Sequence, residues 1–146
     1  MAGLGGIAGR RHRLWAVLAI LALWGASMVL PALHVRFDPG GSVQILPGYK
    51  VLASGWIAVL ALQPGWLANP LLGALLLVWW RGRASVRTVR VLAGALIATS
   101  LATVDLPLRP RFHQHEGFGS GYWMWLAANL VAGVMALMRP REGRPA

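Results

Sequence analysis

Long apolar stretches alternate with short polar segments along this chain. Three stretches, residues 14–33, 86–107 and 119–138, each hold about the 20 apolar residues with which a helix crosses the hydrocarbon core of a bilayer. A fourth stretch, residues 51–80, would reach about 45 Å as one helix, which is too long for a single straight crossing. The pattern therefore predicts an integral membrane protein with a bend or break in its second apolar stretch.

The break is predicted at Gln63-Pro64-Gly65. Pro64 lacks a backbone N–H and disfavours helical dihedral angles at the residue before it, and Gly65 adds conformational freedom. Two arrangements fit this segment. In the first, a tilted or interfacial helix over 49–62 precedes one short crossing over 65–81; in the second, the segment dips into the membrane and returns as a re-entrant hairpin.

Composition supports a membrane protein, because 57% of the residues are hydrophobic and only 12% are charged. The chain has 14 Lys and Arg against four Asp and Glu, for a formal net charge of +10. In a soluble chain this excess would suggest nucleic-acid binding. Here the basic residues lie in short clusters between apolar stretches, which is typical of topology signals. We therefore expect no nucleic-acid partner.

The positive-inside rule distinguishes the two arrangements. With a single crossing over 65–81, ten basic residues share one side and four lie on the other, whereas the hairpin places five and nine. The ten are Arg10, Arg11, Arg13, Arg81, Arg83, Arg87, Arg90, Arg139, Arg141 and Arg144. We therefore expect four spans, with both termini cytoplasmic.

The amino-terminal segment resembles a signal peptide in part. A basic cluster at 10–13 precedes an apolar run, and the small residues at 25–27 offer a cleavage site. Because the apolar run continues to Leu33, we expect the first span to be retained, with cleavage as the alternative. Neither outcome changes the topology downstream.

These patterns predict a single all-α domain: an integral membrane four-helix bundle with a broken second helix and short outer loops. In lipid, small residues at four-residue spacing mark helix-packing faces. Gly94 and Ala98 form such a stripe in the third span, and Ala132 lies in one beside Asn129 in the fourth. We expect these two helices to pack on each other and the leucine-rich segment 71–78 to face lipid.

Few polar side chains lie at membrane depth. We expect Asn69 to cap a helix and Asn129 to make a hydrogen bond between helices. Asp105 should face the bundle at the outer end of the third span, as an anchor for a cationic group or a proton. The alternative is a salt bridge to Arg109 or Arg111, or hydrogen bonds to the nearby loop. The middle of every span lacks ionisable residues, which argues against a proton-coupled transporter.

The outer loops hold the residues with the most varied chemistry. If these loops meet, His34, His113, His115 and Glu116 could supply nitrogen and oxygen ligands to a divalent metal such as zinc. The alternative is that they are solvated loop residues. A strand-like piece at 42–46 lies between turn residues and predicts a hairpin cap on the outer surface.

The sequence contains no motif for catalysis. The absence of cysteine excludes disulfides and thiolate chemistry, and no nucleophile elbow, zinc-protease motif or phosphate-binding loop occurs. We therefore expect no enzymatic activity, no catalytic residues and no cofactor.

Three motifs follow one another along the chain: Gly48-Tyr49-Lys50, then a Trp-x-x-Asn-Pro motif at 66–70, then a Gly-Tyr-Trp-x-Trp-Leu-Ala motif at 121–127. In these motifs the chain, over residues 45–138, resembles an uncharacterised family of small bacterial four-span inner-membrane proteins. The resemblance implies a topology and supplies no activity or catalytic residues.

The function predicted from the sequence is that of a non-enzymatic accessory or interaction subunit. Its partners would be the lipid bilayer and either another membrane protein or further copies of itself. The first alternative is a small oligomeric transporter or lipid-handling protein that uses the broken second segment as a gate. The second alternative is a metal or small-ligand site on the outer face.

Overall fold

The computed structural model describes residues 4–36, 41–60, 64–81, 84–104 and 115–138. This part of the chain is mostly helical and includes a small antiparallel sheet. The helices are α1 (Leu4–Val29), α2 (Gly48–Leu60), α3 (Ala68–Arg81), α4 (Val86–Leu101) and α5 (Ser120–Leu137), with a 3-10 helix at Pro64–Leu67. The strands are β1 (Pro31–Val35), β2 (Gln44–Pro47) and β3 (His115–Phe118).

Helices α1, α3, α4 and α5 pack around one hydrophobic core. Ile20, Leu75 and Leu96 are almost completely buried in it and come from three different helices. α5 supplies small residues, because Ala132 and Ala136 are buried against the larger side chains opposite them. Large side chains facing small ones let the helices approach closely, so the interior of the bundle is filled by side chains.

Two helical segments of the described residues are long and apolar enough to cross a membrane, Arg11–Val29 and Ser120–Leu137. α3 and α4 have 14 and 16 residues, so they extend about 21 and 24 Å. Both are shorter than the hydrocarbon core of about 30 Å. α3 is preceded directly by the 3-10 helix and α4 is followed by turn residues to Val104.

The second apolar stretch is broken, as its sequence predicts. α2 ends at Leu60, and the chain resumes as the 3-10 helix at Pro64 before α3 begins at Ala68. The helix predicted over 49–62 therefore corresponds to α2, and the segment 65–81 corresponds to the 3-10 helix together with α3. A tighter 3-10 turn ahead of α3 lets the chain change direction at Pro64.

The first helix differs from the predicted span 14–33 at both ends. It begins at Leu4 and ends at Val29, and the chain then continues as β1. Pro31 explains the earlier end, because it disfavours helical angles at Leu30 and cannot donate to a helical carbonyl. Just beyond the helix, the carbonyl oxygen of Leu30 accepts a hydrogen bond of 3.0 Å from the Gly48 N–H.

The sheet, which we call the cap, corrects the expectation of an all-α fold with short outer loops. β1 lies in the centre and pairs antiparallel with β2 and β3. The predicted hairpin near 42–46 is present, since β2 pairs with β1, but the sequence does not predict the strand β3. The residues of β3 carry no alternating apolar pattern that would indicate a strand.

The packing of α4 on α5 is confirmed. The predicted stripe of Gly94 and Ala98, however, is not the face of α4 that packs. Gly94 and Ala98 are exposed, and a Cβ added at Gly94 would find no atom within 4 Å. The face that packs carries Ala93 and Leu96 instead. Small residues occur on two faces of α4, so their spacing alone does not identify the face whose larger side chains fill the core.

The expectation that the leucine-rich segment 71–78 faces lipid is wrong for most of its leucines. Leu72, Leu75 and Leu76 are buried, whereas Leu77 is exposed. The buried leucines belong to the buried cluster that also holds Leu96 of α4 and Ala132 of α5. Bulky side chains on α3 are therefore needed in the core.

Candidate functional site

The break in the second apolar stretch places an amide side chain inside the bundle. The 3-10 helix at Pro64–Leu67 ends where α3 begins, and Asn69 is the second residue of α3. Asn69 therefore lies inside the helix and is not the predicted cap before it. Pro70 follows at a position in the first turn where a missing N–H costs nothing. Asn69 is partly buried.

Asn69 joins three helices through one amide group. Its Oδ1 accepts a hydrogen bond of 3.2 Å from the Trp24 indole Nε1 on α1 and one of 2.9 Å from the Trp125 Nε1 on α5. Its Nδ2 donates to the carbonyl oxygen of Trp66 at 3.2 Å. Because an indole N–H can only donate, the amide oxygen must face both tryptophans. We call Trp24, Asn69 and Trp125, together with Trp66, the tryptophan node.

The node also holds α2. The Trp66 Nε1 donates to the carbonyl oxygen of Leu52 at 2.9 Å. Gly55 lies beside the same indole, where an added Cβ would be 3.3 Å from Nε1. Trp66 therefore ties α2 to the beginning of α3 by one polar contact and one close contact.

Aromatic rings continue the node toward the cap. Tyr122 lies next to Trp125, with ring centroids 6.0 Å apart, and stacks on Phe118 of β3 at 3.8 Å. Its hydroxyl shares a hydrogen bond of 2.8 Å with the hydroxyl of Thr103, beyond the end of α4. The node and its aromatic extension thus connect α1, α2, α3 and α5 with the turn after α4 and with β3.

Two buried polar side chains, one in α4 and one in α5, have no hydrogen-bond partner among the described residues. They are Asn129, whose Oδ1 and Nδ2 are both unpaired, and Ser100, whose Oγ is unpaired. Both residues are fully buried. Asn129 lies one helical turn from Trp125 on α5. The hydrogen bond predicted from Asn129 to another helix is therefore not made within the described part of the chain.

We expect Asn129→Leu to raise the free energy of unfolding in detergent by about 1–3 kcal/mol. An unpaired buried polar group costs about that much, and leucine has the same branched shape without the polar atoms. Ser100→Ala should stabilise the protein less, because only one atom is affected. Titration of purified protein with a denaturing detergent measures both. A destabilised Asn129→Leu variant would mean that the amide is satisfied in solution.

The metal-ligand candidates lie partly in the cap. His34 of β1 pairs with Ile45 of β2 and with Gly117 of β3, and His115, which Glu116 follows, is the β3 partner of Val35. His34 and His115 are therefore on neighbouring strands.

The remaining candidate ligand, His113, lies outside the described residues, and so does Asp105, the predicted anchor for a cationic group or a proton. No group of three or more potential ligands that could hold a metal ion occurs in the described part of the chain. Metal binding on the outer face therefore stays a prediction.

Sequence reasoning finds part of the node. Trp24 lies near the middle of the first apolar stretch, so its indole N–H is expected to contact another helix rather than lipid, as it does through its hydrogen bond to Asn69. The shared acceptor for Trp125 and the contact of Trp66 with α2 are not predicted. A signal is present, because an amide at membrane depth needs donors and acceptors from other helices, and this chain has eight tryptophans to supply donors.

Comparison of the chain with protein-family models, with curated proteins and with solved structures finds no match.

Proposed function

We propose that this chain is a non-enzymatic four-span protein of the bacterial inner membrane, with both termini cytoplasmic, that binds or supports another membrane protein through its cap. The proposed topology agrees with the distribution of basic residues and with the resemblance carried by the three motifs. The proposed role depends on how the cap is attached and on what it exposes.

Four spans are supported by the way the two shorter helices pack. α3 and α4 both lie against α5, and a Cβ added at Gly133 of α5 would lie 2.6 Å from the Ile97 side chain of α4. Helices packed side by side along a spanning helix share its depth in the bilayer. The 3-10 helix before α3 and the turn after α4 extend both segments, and local thinning of the bilayer accommodates the remaining mismatch at modest cost.

The observation that carries the role is the rigid attachment of the cap. The Gly119 N–H donates to the carbonyl oxygen of Ala32 at 2.9 Å. A Cβ at Gly121 would lie within 3.0 Å of the carbonyl oxygens of Ser27, Leu30 and Pro31. The start of α5 is thus in direct backbone contact with the end of α1 and the start of β1, and the sheet is fixed to the bundle.

The fixed cap presents apolar side chains away from the core. Ile45 is 60% exposed and Val43 is also exposed. Below them the bundle interior is filled by side chains such as Leu75 and Leu96, which leaves little room for a substrate chamber. A rigid platform with exposed apolar groups is suited to a protein partner.

A photo-crosslinking residue at position 45 tests this role in native membranes. We expect it to capture one partner protein in constant proportion. The matched control carries the photo-crosslinking residue at position 91 instead. Val91 is similarly exposed, at 63%, but lies on α4 in the region that we assign to lipid. Equal labelling of proteins from both positions, or none from position 45, would contradict the proposal.

The second candidate function is transport or lipid handling by a homo-oligomer. It is favoured by the break before α3, which places Asn69 among three helices, and by the unpaired atoms of Asn129 and Ser100. Discontinuous helices and buried polar groups mark binding sites in transporters. A stable oligomer with transport activity in liposomes that is lost in Asn129→Leu would favour this function. A monomer that co-purifies with a fixed partner would favour the first.

A further inference from the structure

The end of the bundle opposite the cap concentrates positive charge. Arg11 of α1, Arg81 of α3 and Arg87 of α4 are exposed there, and Arg90 is partly buried. We call these four residues the arginine rim. Within the described ranges the sole acidic residue is Glu116, which lies in the cap at the other end. The rim therefore has no carboxylate of the described chain close enough to neutralise it.

Core contacts bring the arginines of three helices to one end. Val17, Trp79 and Val89 belong to the same buried cluster. Arg81 follows Trp79 by two residues, and Arg90 is next to Val89. On α1, the rim arginine precedes Val17 by six residues, or about 9 Å along the helix.

The short connection between α3 and α4 keeps two of these arginines near each other. It spans only residues 82–85, and the two helices pack on each other. The end of α3, with Arg81, and the first turn of α4, with Arg87, are therefore neighbours in the bundle.

The surface next to the arginine rim carries exposed tryptophans and leucines. Trp15 is 68% exposed and Trp80 is 63% exposed, and both lie within a few residues of rim arginines. Exposed tryptophans at a helix end are typical of the headgroup level of a bilayer. Further toward the middle of the bundle, Leu18 and Leu77 are exposed on the same helices and offer apolar surface to acyl chains.

We propose that the arginine rim, with Trp15 and Trp80, binds the phosphate headgroup of an anionic phospholipid. This inference rests on the membrane-spanning part of the proposed function. One guanidinium group can donate two parallel hydrogen bonds to two oxygens of a phosphate, which a lysine ammonium does not do. Free phosphate offers the same oxygens. Only a lipid would also contact the exposed tryptophans and, through its acyl chains, the exposed Leu18 and Leu77. Basic pockets between helices on the cytoplasmic side are known lipid sites.

The test uses the intact protein in nanodiscs of phosphatidylcholine and phosphatidylglycerol in equal amounts. Lipids that remain bound after extraction into mild detergent are quantified by mass spectrometry. We expect phosphatidylglycerol to be enriched, and to stay bound in about 1 M NaCl, where the Debye length is about 3 Å and general attraction is screened. The variant Arg87→Gln/Arg90→Gln should lower the enrichment by about fivefold for each arginine removed.

Two matched variants separate a lipid site from a topology signal. Arg87→Lys/Arg90→Lys keeps the positive charge that orients the chain, and should retain phosphatidylglycerol at low salt but release it in about 1 M NaCl. Lys50→Gln removes an exposed charge at the cap end and should leave the enrichment unchanged.

The inference is overturned if the glutamine variant retains as much phosphatidylglycerol as the parent protein. It is also overturned if millimolar inorganic phosphate, without lipid, raises the thermal stability of the detergent-solubilised protein as much as phosphatidylglycerol does. Either result leaves the proposed four spans intact. Failure of the protein to enter nanodiscs at all would contradict the membrane topology together with the lipid site.

Discussion

Replacing Asn69 by leucine is expected to lower the free energy of unfolding by about 2–4 kcal/mol. The substitution removes the acceptor of two indole N–H groups and the donor to the Trp66 carbonyl oxygen. Each unpaired buried group costs about 1–3 kcal/mol, and the partial burial of these hydrogen bonds reduces the sum. Titration with a denaturing detergent measures the loss.

Single tryptophan variants test whether the stability lost in Asn69→Leu comes from the hydrogen bonds of the tryptophan node. Trp125→Phe and Trp24→Phe each remove one donor and should cost less than Asn69→Leu. In a double-mutant cycle, Trp125→Phe should add little in the Asn69→Leu background, because the hydrogen bond is already absent. Trp80→Phe is the matched control, since this tryptophan is exposed. An Asn69→Leu loss no larger than that of Trp80→Phe would contradict the node.

Replacing Gly121 by alanine is expected to lower the free energy of unfolding by about 2–3 kcal/mol. A Cβ there would lie 2.7 Å from the carbonyl oxygen of Leu30, 2.9 Å from that of Ser27 and 3.0 Å from that of Pro31. All three atoms belong to the backbone, so the strain is relieved only by moving α1 or β1, and overpacking of this kind costs about 1–3 kcal/mol. Thermal or detergent unfolding measures the effect.

Gly94→Ala is the control for Gly121→Ala. Gly94 is exposed in the interior of α4 with no atom near an added Cβ. Alanine in a helix is more favourable than glycine by about 0.5–1 kcal/mol. We therefore expect Gly94→Ala to stabilise the protein. The same sign for both variants would contradict the close contact between α5 and the cap.

The sequence predicts the apolar helices and the position of the break well, because both follow from local chemistry. Hydrophobic runs of sufficient length form helices in an apolar environment, and Pro64 interrupts one of them wherever it lies. The predicted end of α1 is four residues too late, because the apolar stretch continues past Pro31, where the helix has already ended. The strand that follows could not be predicted in the same way, since β1 pairs with partners far away in the sequence.

The packing faces of the helices are harder to predict, because small-residue spacing marks every face that two helices could use. Gly94 and Gly133 illustrate the difficulty. An added Cβ at Gly133 would lie 2.6 Å from the side chain of Ile97, whereas an added Cβ at Gly94 would find no atom within 4 Å. Only the complete bundle selects one face of each helix. The node likewise depends on three helices meeting at Asn69, which no local pattern encodes.

The proposed function requires four crossings with both termini on one side of the membrane. Single cysteines at Ser42 and Ser85 test this in intact cells with a membrane-impermeant thiol reagent, because the parent chain has no cysteine and both positions are exposed. We expect Ser42→Cys to be labelled from outside, and Ser85→Cys to be labelled only after the membrane is permeabilised. Labelling of Ser85→Cys in intact cells would place the loop between α3 and α4 outside and contradict the four-span topology.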